Sequence, residues 1–197
     1  AQSVPGVEHV ALGTNLPLGG ARMTFGFFPR EMPAPNEESL PAEYHSVSPD
    51  YFRALGVPLL QGRDFVPQDD ASAIPVVIVS HALAQGRWPG GSAIGRRIRT
   101  ISQSGITVRE VVGVAGDVKH ARLTEPAQAQ LYVPYAQDSW PLLTLVVRGR
   151  QVDGILLPEI RRAIGDLDRT IPVGAFVGMG HRIDASIAIE RFQMQLL

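Results

Sequence analysis

The stretch YHSVSPDYFRALGVPLLQGRDF, Tyr44 to Phe65, decides the fold class. Tyr44 to Ser48 reads as a short strand. Ser48 carries the hydroxyl of a helix N-cap, Pro49 the fixed φ of a first helical position, and Asp50 the charge that suits a helix N-terminus. The predicted helix is short, Asp50 to Leu55, with Tyr51, Phe52 and Leu55 on one face and Gly56 as its stop. Val57 to Leu60 is an apolar strand that Gly62 closes. Strand, helix and strand follow one another almost without loops, and no obvious nucleophile, metal cluster or phosphate loop lies among them. The stretch specifies geometry rather than a reagent.

Working outward, Val7 to Thr14 and Ala21 to Phe28 are strand candidates, separated by a turn at Pro17 and Gly19-Gly20. Pro29 to Pro41, with Pro33, Pro35, Asn36, Glu37 and Glu38, is expected to be the most mobile loop. Downstream, Asp64, Pro67, Asp69 and Asp70 form a polar connector. Ile74 to Val79 is a continuous, mostly β-branched run, expected to be a strand buried on both faces. Ser80 caps a helix running to Trp88, which Pro89-Gly90-Gly91 ends. Ile94 to Ile101, Val108 to Val114, Gln130 to Tyr135 and Leu142 to Val147 read as further strands, the last of them buried. Asp153 to Leu167 is the longest predicted helix, with Leu156, Ile160, Ala163, Ile164 and Leu167 in one stripe. Pro158 fits it only where the regular helix starts close by. Val173 to Val177 predicts a last strand. Runs of strands with few helices make the chain α+β rather than a doubly wound sheet.

The 197 residues suffice for one ordinary domain or two small lobes. A 45% hydrophobic share against 19% charged supplies a core and argues against global disorder. The net charge is −1, and the densest basic cluster is Arg96, Arg97 and Arg99. No nucleic-acid face or polybasic membrane patch is expected from that balance. The absence of cysteine excludes disulfides, thiolate zinc sites and Cys nucleophiles, and weakly suits an oxidising compartment. Beginning at Ala1 rather than Met predicts a processed or excised chain. No segment reaches the roughly 20 apolar residues of a bilayer span. The ending, Ile187 to Leu197, is helical in pattern and turns apolar without a cap; it fits a surface-docked helix or the start of a transmembrane one.

No class of catalytic or metal chemistry finds its full set of residues in the sequence. Ser80 and His81 are neighbours on a helix and cannot face each other as nucleophile and base, so Ser80 is read as a cap. No G-x-S-x-G elbow exists. His9, His45, His81, His120 and His181 show no metal-ligand spacing; His120, after Asp117 and Lys119, is the first to test. Glu37-Glu38 and Asp69-Asp70 are loop neighbours that give no acid/base split without burial. Asp64, Asp69 and Asp70 could hold calcium, but without the EF-hand pattern. Pro89 to Arg96 is Gly-rich with a basic end, yet it follows a helix instead of opening one, so it is a helix stop and not a phosphate loop. No residue is therefore assigned a catalytic, cofactor or metal role, and substrate and partner contacts stay unassigned. Phe25, Phe27, Phe28 and Trp140 could rim a groove, although such aromatics are more often core.

Five motifs in fixed order carry a family resemblance: VSPDYFRALGVPLLQGRDF (Val47 to Phe65), PVVIVSHALAQGRWPGGSAIGRRIR (Pro75 to Arg99), EVVGVAGDVKHARL (Glu110 to Leu123), LYVPYAQ (Leu131 to Gln137) and LTLVVRG (Leu143 to Gly149). Together they resemble the periplasmic core domain of MacB-like ABC transporter permeases, relatives of the FtsX-like permeases, and especially the duplicated permeases of acidobacterial type. The similarity runs from about Val7 to the end. RFQMQLL (Arg191 to Leu197) looks like the lead into a helix re-entering the membrane. Family members often have a more basic or aromatic helix where this chain has Gln85-Gly86-Arg87.

The resemblance implies a periplasmic domain of an inner-membrane protein, inserted between transmembrane helices. It implies two lobes: a porter-like, βαβ-containing lobe built from residues 1–65 plus 138–197, and an inserted mixed α/β lobe over residues 66–137. Composition breaks at Asp64 to Asp70 and Gln137 to Pro141 fall near those joints. No enzyme activity and no cofactor is expected here; ATP would be used by a separate nucleotide-binding subunit or domain. Implied partners are the chain's own transmembrane helices, an ABC ATPase, a periplasmic adaptor and a second copy in a dimeric transporter, with no nucleic acid. The function expected is mechanotransmission, in which helix motion is carried to a substrate or adaptor. The alternative is a periplasmic ligand-binding or sensory module.

Overall fold

The structure, a computed structural model, describes residues 4–19, 22–119, 127–149, 156–170 and 172–194. Nine strands lie among them: β1 (Val7–Gly13), β2 (Thr24–Phe28), β3 (Leu40–Val47), β4 (Leu59–Gly62), β5 (Val76–Ser80), β6 (Arg97–Ser102), β7 (Gly105–Ala115), β8 (Gln130–Pro134) and β9 (Thr144–Gly149). The helices are α1 (Tyr51–Leu55), α2 (His81–Arg87), α3 (Leu157–Leu167) and α4 (Met179–Met194). The α+β expectation holds.

All nine strands join one sheet, in the order β2-β6-β7-β5-β8-β3-β1-β9, with β4 added on β7. Because β2 also pairs with β3, six strands close into a ring. β3 and β8 run parallel, as do β5 and β7, while the other ring neighbours are antiparallel. Segment 66–137 supplies the contiguous run β6-β7-β5-β8, and segment 1–65 closes it at both ends: β3 meets β8 through five residue pairs, and β2 meets β6.

The period of two in β5 and β8 sorts their side chains between two cores. Val77, Val79, Leu131 and Val133 join Phe27, Tyr44, Ile98 and Val111 in one cluster, with Leu83 of α2 closing it. Val76, Ile78 and Tyr132 point to the other face, where Tyr51 and Phe52 of α1 meet Ala11 of β1 and Val146 of β9. Burying a side chain such as Ile78 contributes roughly 1.5–3 kcal/mol. Leu156, which precedes α3, and Ile160 within it form a third cluster with Val7, Leu145 and Val147.

Several expectations are corrected. Ser48 is not the N-cap of α1; that position is Asp50, in the left-handed region at φ 66° and without a side-chain cap. The Ser48 hydroxyl instead accepts from Leu12 N–H at 2.8 Å, because a neighbouring strand offers it a donor. Gly56 stops the helix as read, at φ 72°, with the Val57 N–H reaching Phe52 C=O at 2.8 Å and the Gly56 N–H reaching Arg53 C=O at 3.1 Å. β3 begins at Leu40, inside the expected loop. Pro41 is tolerated there because pairing with β8 starts only at Glu43, so residue 41 has one strand neighbour, Gly26 of β2. The loop itself is tied down: Glu37 accepts from Ala34 N–H at 2.8 Å, and Arg99 Nε donates to Glu31 C=O at 3.0 Å.

Ile74 and Leu142 lie outside their strands, 70% and 82% exposed. Residues 172–178 form no strand, so Val173 to Val177 is not the last strand of the sheet. Leu167, the last residue of α3, is 80% exposed and so does not join the buried stripe. α3 starts at Leu157 with Pro158 in its first turn, which resolves the awkward proline. The expected helix start at Asp153 lies outside the described residues.

Candidate functional site

Two buried polar networks lie on opposite sides of β3, and both join segments distant in sequence. Inside the ring, Tyr44 Oη donates to Asp138 Oδ2 at 2.5 Å, and Ser46 Oγ to the Asp138 carbonyl at 2.6 Å. Ser104, at the tip of the β6–β7 hairpin, donates its hydroxyl to the other carboxylate oxygen. Asp138 is only 2% exposed, so these donors replace the water its charge has lost. Burial, partly opposed by the Arg109 guanidinium and reinforced by Asp138, raises the Tyr44 phenol well above its usual range.

Gln137 extends this network to the other chain crossing. Its Oε1 accepts from Val76 N–H at 3.0 Å and from Arg109 Nη1 at 3.1 Å. Its Nε2 donates to the carbonyls of Asp70 at 3.2 Å and Ile74 at 3.1 Å. Arg109, itself buried, also donates Nε to Thr100 Oγ1 at 3.3 Å. The composition breaks read near residues 64–70 and 137–141 are thus bonded to each other.

The second network sits between β3, β8 and α2. Gln130 Nε2 donates to Glu43 Oε2 at 3.1 Å and to Val118 C=O at 2.7 Å, while Tyr132 Oη donates to Gln130 Oε1 at 2.9 Å. His45 stacks on Tyr132 at 5.0 Å, with Nε2 3.8 Å from Glu43 Oε2. Burial pushes the His45 imidazole below its usual pKa, and the Glu43 carboxylate only partly restores it. Ser80 Oγ accepts from Leu83 N–H at 3.3 Å and from Gln130 N–H at 3.1 Å, so it caps α2 as expected and also pins β8.

The other sequence candidates do separate jobs. Asp69 forms a two-pronged pair with Arg63, at 2.7 and 2.9 Å. Asp64 binds Phe65 N–H at 2.7 Å, and Asp70 binds Ser72 N–H at 2.8 Å. The three carboxylates therefore serve three local contacts. Among the described residues, no three His, Asp or Glu side chains gather as a metal site. His9 lies on β1, His81 opens α2 and His181 sits exposed on α4; His120 lies outside the described residues. Arg96, at the end of the Gly-rich stretch, stacks on Trp88 with its guanidinium 5.5 Å from the ring centre. Of the aromatic rim, Phe27 is core at 1% exposure, and Phe25 packs on Tyr44 and Trp140 at 5.5 and 6.1 Å.

Glu43, Arg109, Gln130, Gln137 and Asp138 belong to no catalytic or metal-binding motif of the sequence. Their one local signal is a polar residue at an inward strand position or next to a strand end. These side chains hold strands in place, and the hydroxyls of Ser46, Ser80 and Ser104 are engaged in caps and braces. The fold is that of a cross-braced, mainly β scaffold in which the polar interior ties distant segments together.

That class narrows to a family. Residues 2–165 match the model of the MacB-like periplasmic core domain, and the chain belongs to that family. Its place is accordingly the periplasmic side of ABC transporter permeases. The periplasmic region of MacB from Actinobacillus actinomycetemcomitans has a similar structure, with a TM-score of 0.56 at 16% identity, over 84% of this chain and 70% of that one. The extracellular domain of the noncanonic ABC-type transporter YknZ from Gram-positive bacteria is similar at a TM-score of 0.55 and 19% identity, over 86% of this chain and 81% of the other. No curated protein matches the sequence.

Proposed function

We propose that this domain is a non-catalytic relay: it carries movement of the permease's transmembrane helices to a substrate or adaptor outside the membrane, with an ABC ATPase supplying the energy. The carrying observation is the family match over residues 2–165. The interior supports it, because buried polar groups that are bonded across distant segments favour one stiff arrangement. In this reading residues 1–65 plus 138–197 and residues 66–137 are the two segments through which load passes, and the transporter works as a dimer. Among the described residues no helix is long and apolar enough to cross a membrane.

The test is made in the full-length permease with its ATPase. The unmodified permease and a variant with the periplasmic domain replaced by a flexible Gly/Ser linker are compared for ATP hydrolysis and for export. The relay reading expects ATP hydrolysis to persist and export to stop. Undiminished export by the linker variant overturns it. Saturable binding of a small molecule or peptide by the domain, with export intact, would instead favour a sensory module.

A further inference from the structure

We propose that β1, β9 and α3 form a module that swings as a unit against the closed ring, with α1 as its pivot. The topology carries this. β1 and β9 pair along their length, from Val7↔Gly149 to Gly13↔Thr144. To the ring, β1 makes only the single residue pair Gly13↔Val47. The third apolar cluster, built from Val4, Leu156 and Ile160 against Val7, Leu145 and Val147, includes no ring residue. The module therefore carries its own small core, whereas each ring strand is held by two ring neighbours.

The seam between module and ring is narrow and specific. Ser48 accepts from Leu12 N–H through its hydroxyl at 2.8 Å and donates its own N–H to Leu12 C=O at 3.0 Å. Thr14 N–H reaches Ser46 C=O at 3.1 Å, and Thr14 Oγ1 accepts from Ser46 N–H at 3.2 Å. Beside this seam, Tyr51 and Phe52 of α1 share one buried cluster with Ala11 and Val146 of the module and Ile78 and Tyr132 of the ring; both rings lie against Tyr132, at 6.2 and 4.9 Å, and Tyr51 also lies beside Gly13 of β1. Arg148 of β9 donates Nη1 to the Arg53 carbonyl at the end of α1, at 3.2 Å. A few bonds beside a short, fully packed helix make a pivot, since the packed elements stay intact while the bonds at one edge exchange. The Tyr44 to Phe65 stretch thus supplies the last ring strand before the seam, the pivot helix, and the strand that returns to β7.

The direction of force in this picture rests on the relay function; the swing itself does not. Absence of cysteine lets introduced thiols be the only ones labelled. Spin labels at exposed Gln85 of α2 and Arg162 of α3 report module against ring, and labels at Gln85 and Gln61 of β4 report positions off the module. In this chain, the Gln85–Arg162 distance distribution is expected to be broader than the Gln85–Gln61 one. Ser48→Ala, which removes an acceptor at the seam, and Arg148→Met, which removes the tie to α1, are each expected to broaden the first pair and leave the second unchanged. Equal widths in the unmodified protein, or equal broadening of both pairs in the variants, overturn the pivot. In the full-length permease, a shift of the first pair on ATP addition supports its use in transport; an unchanged first pair with export intact overturns that use and leaves the relay standing.

Discussion

At the scale of single residues, His45 sets a pH response. Its imidazole is buried between Tyr132 and Glu43, and its folded pKa lies below the unfolded value of 6.5. Below 6.5 the unfolded chain binds the proton more readily than the folded one, so stability is fully present above that pH and falls as acid is added. The slope contributed by one such group is at most about 1.4 kcal/mol per pH unit. His45→Gln should flatten urea-unfolding stability across this acid window, and an unchanged slope would remove His45 as the cause. Asp138 makes a second case. Asp138→Ala leaves the Tyr44 and Ser104 hydroxyls without their charged acceptor in a buried place, at a cost of about 3 kcal/mol in chemical denaturation. A loss no larger than that of a surface substitution would show that water takes over the carboxylate's role.

At the scale of elements, the junction of β1 with α1 leaves no slack. A Cβ added to Gly13 would stand 2.5 Å from Tyr51 Cε2, and that ring is buried with its hydroxyl donating to Asn15 C=O at 3.1 Å. Gly13→Ala should cost about 1–3 kcal/mol by forcing the ring aside, whereas Gly86→Ala on α2, where nothing lies within 4 Å, should be neutral or stabilising. Thermal unfolding of the two variants distinguishes these signs. Elements with a strong local pattern were legible in the sequence: the β-branched run of β5, the Ser80 cap and the Gly56 stop each follow from residues within a few positions. Ser48 misled because its local cap geometry competes with a donor thirty-six positions away on Leu12. Gln137 and Asp138 were invisible for the same reason, since their partners at 44, 76, 104 and 109 become neighbours only when the ring closes. The Val173 to Val177 run has strand composition, but composition alone does not supply the edge to which a strand must bond.

At the scale of the whole molecule, the ring settles how the two segments depend on each other. Residues 66–137 contribute β5, β6, β7 and β8, which are contiguous in the ring, while residues 1–65 supply β2 and β3 to close it. Taken alone, segment 66–137 would leave β6 without β2 and β8 without β3, exposing two unpaired edges. It would also bare Ile98, Leu131 and Val133, which the same cluster now buries together with Phe27 and Tyr44. The excised segment 66–137 is therefore expected to lack dispersed amide resonances and to aggregate, whereas the whole chain should lose its ring in one cooperative step. Hydrogen exchange under mild denaturant gives the direct reading: amides of β3, β5, β7 and β8 should open together, and those of β1 and β9 earlier, because the module is fastened at one seam. If segment 66–137 folds by itself, or if β3 opens apart from β8, the ring does not act as one body. Force arriving at the module would then dissipate between the segments instead of crossing them.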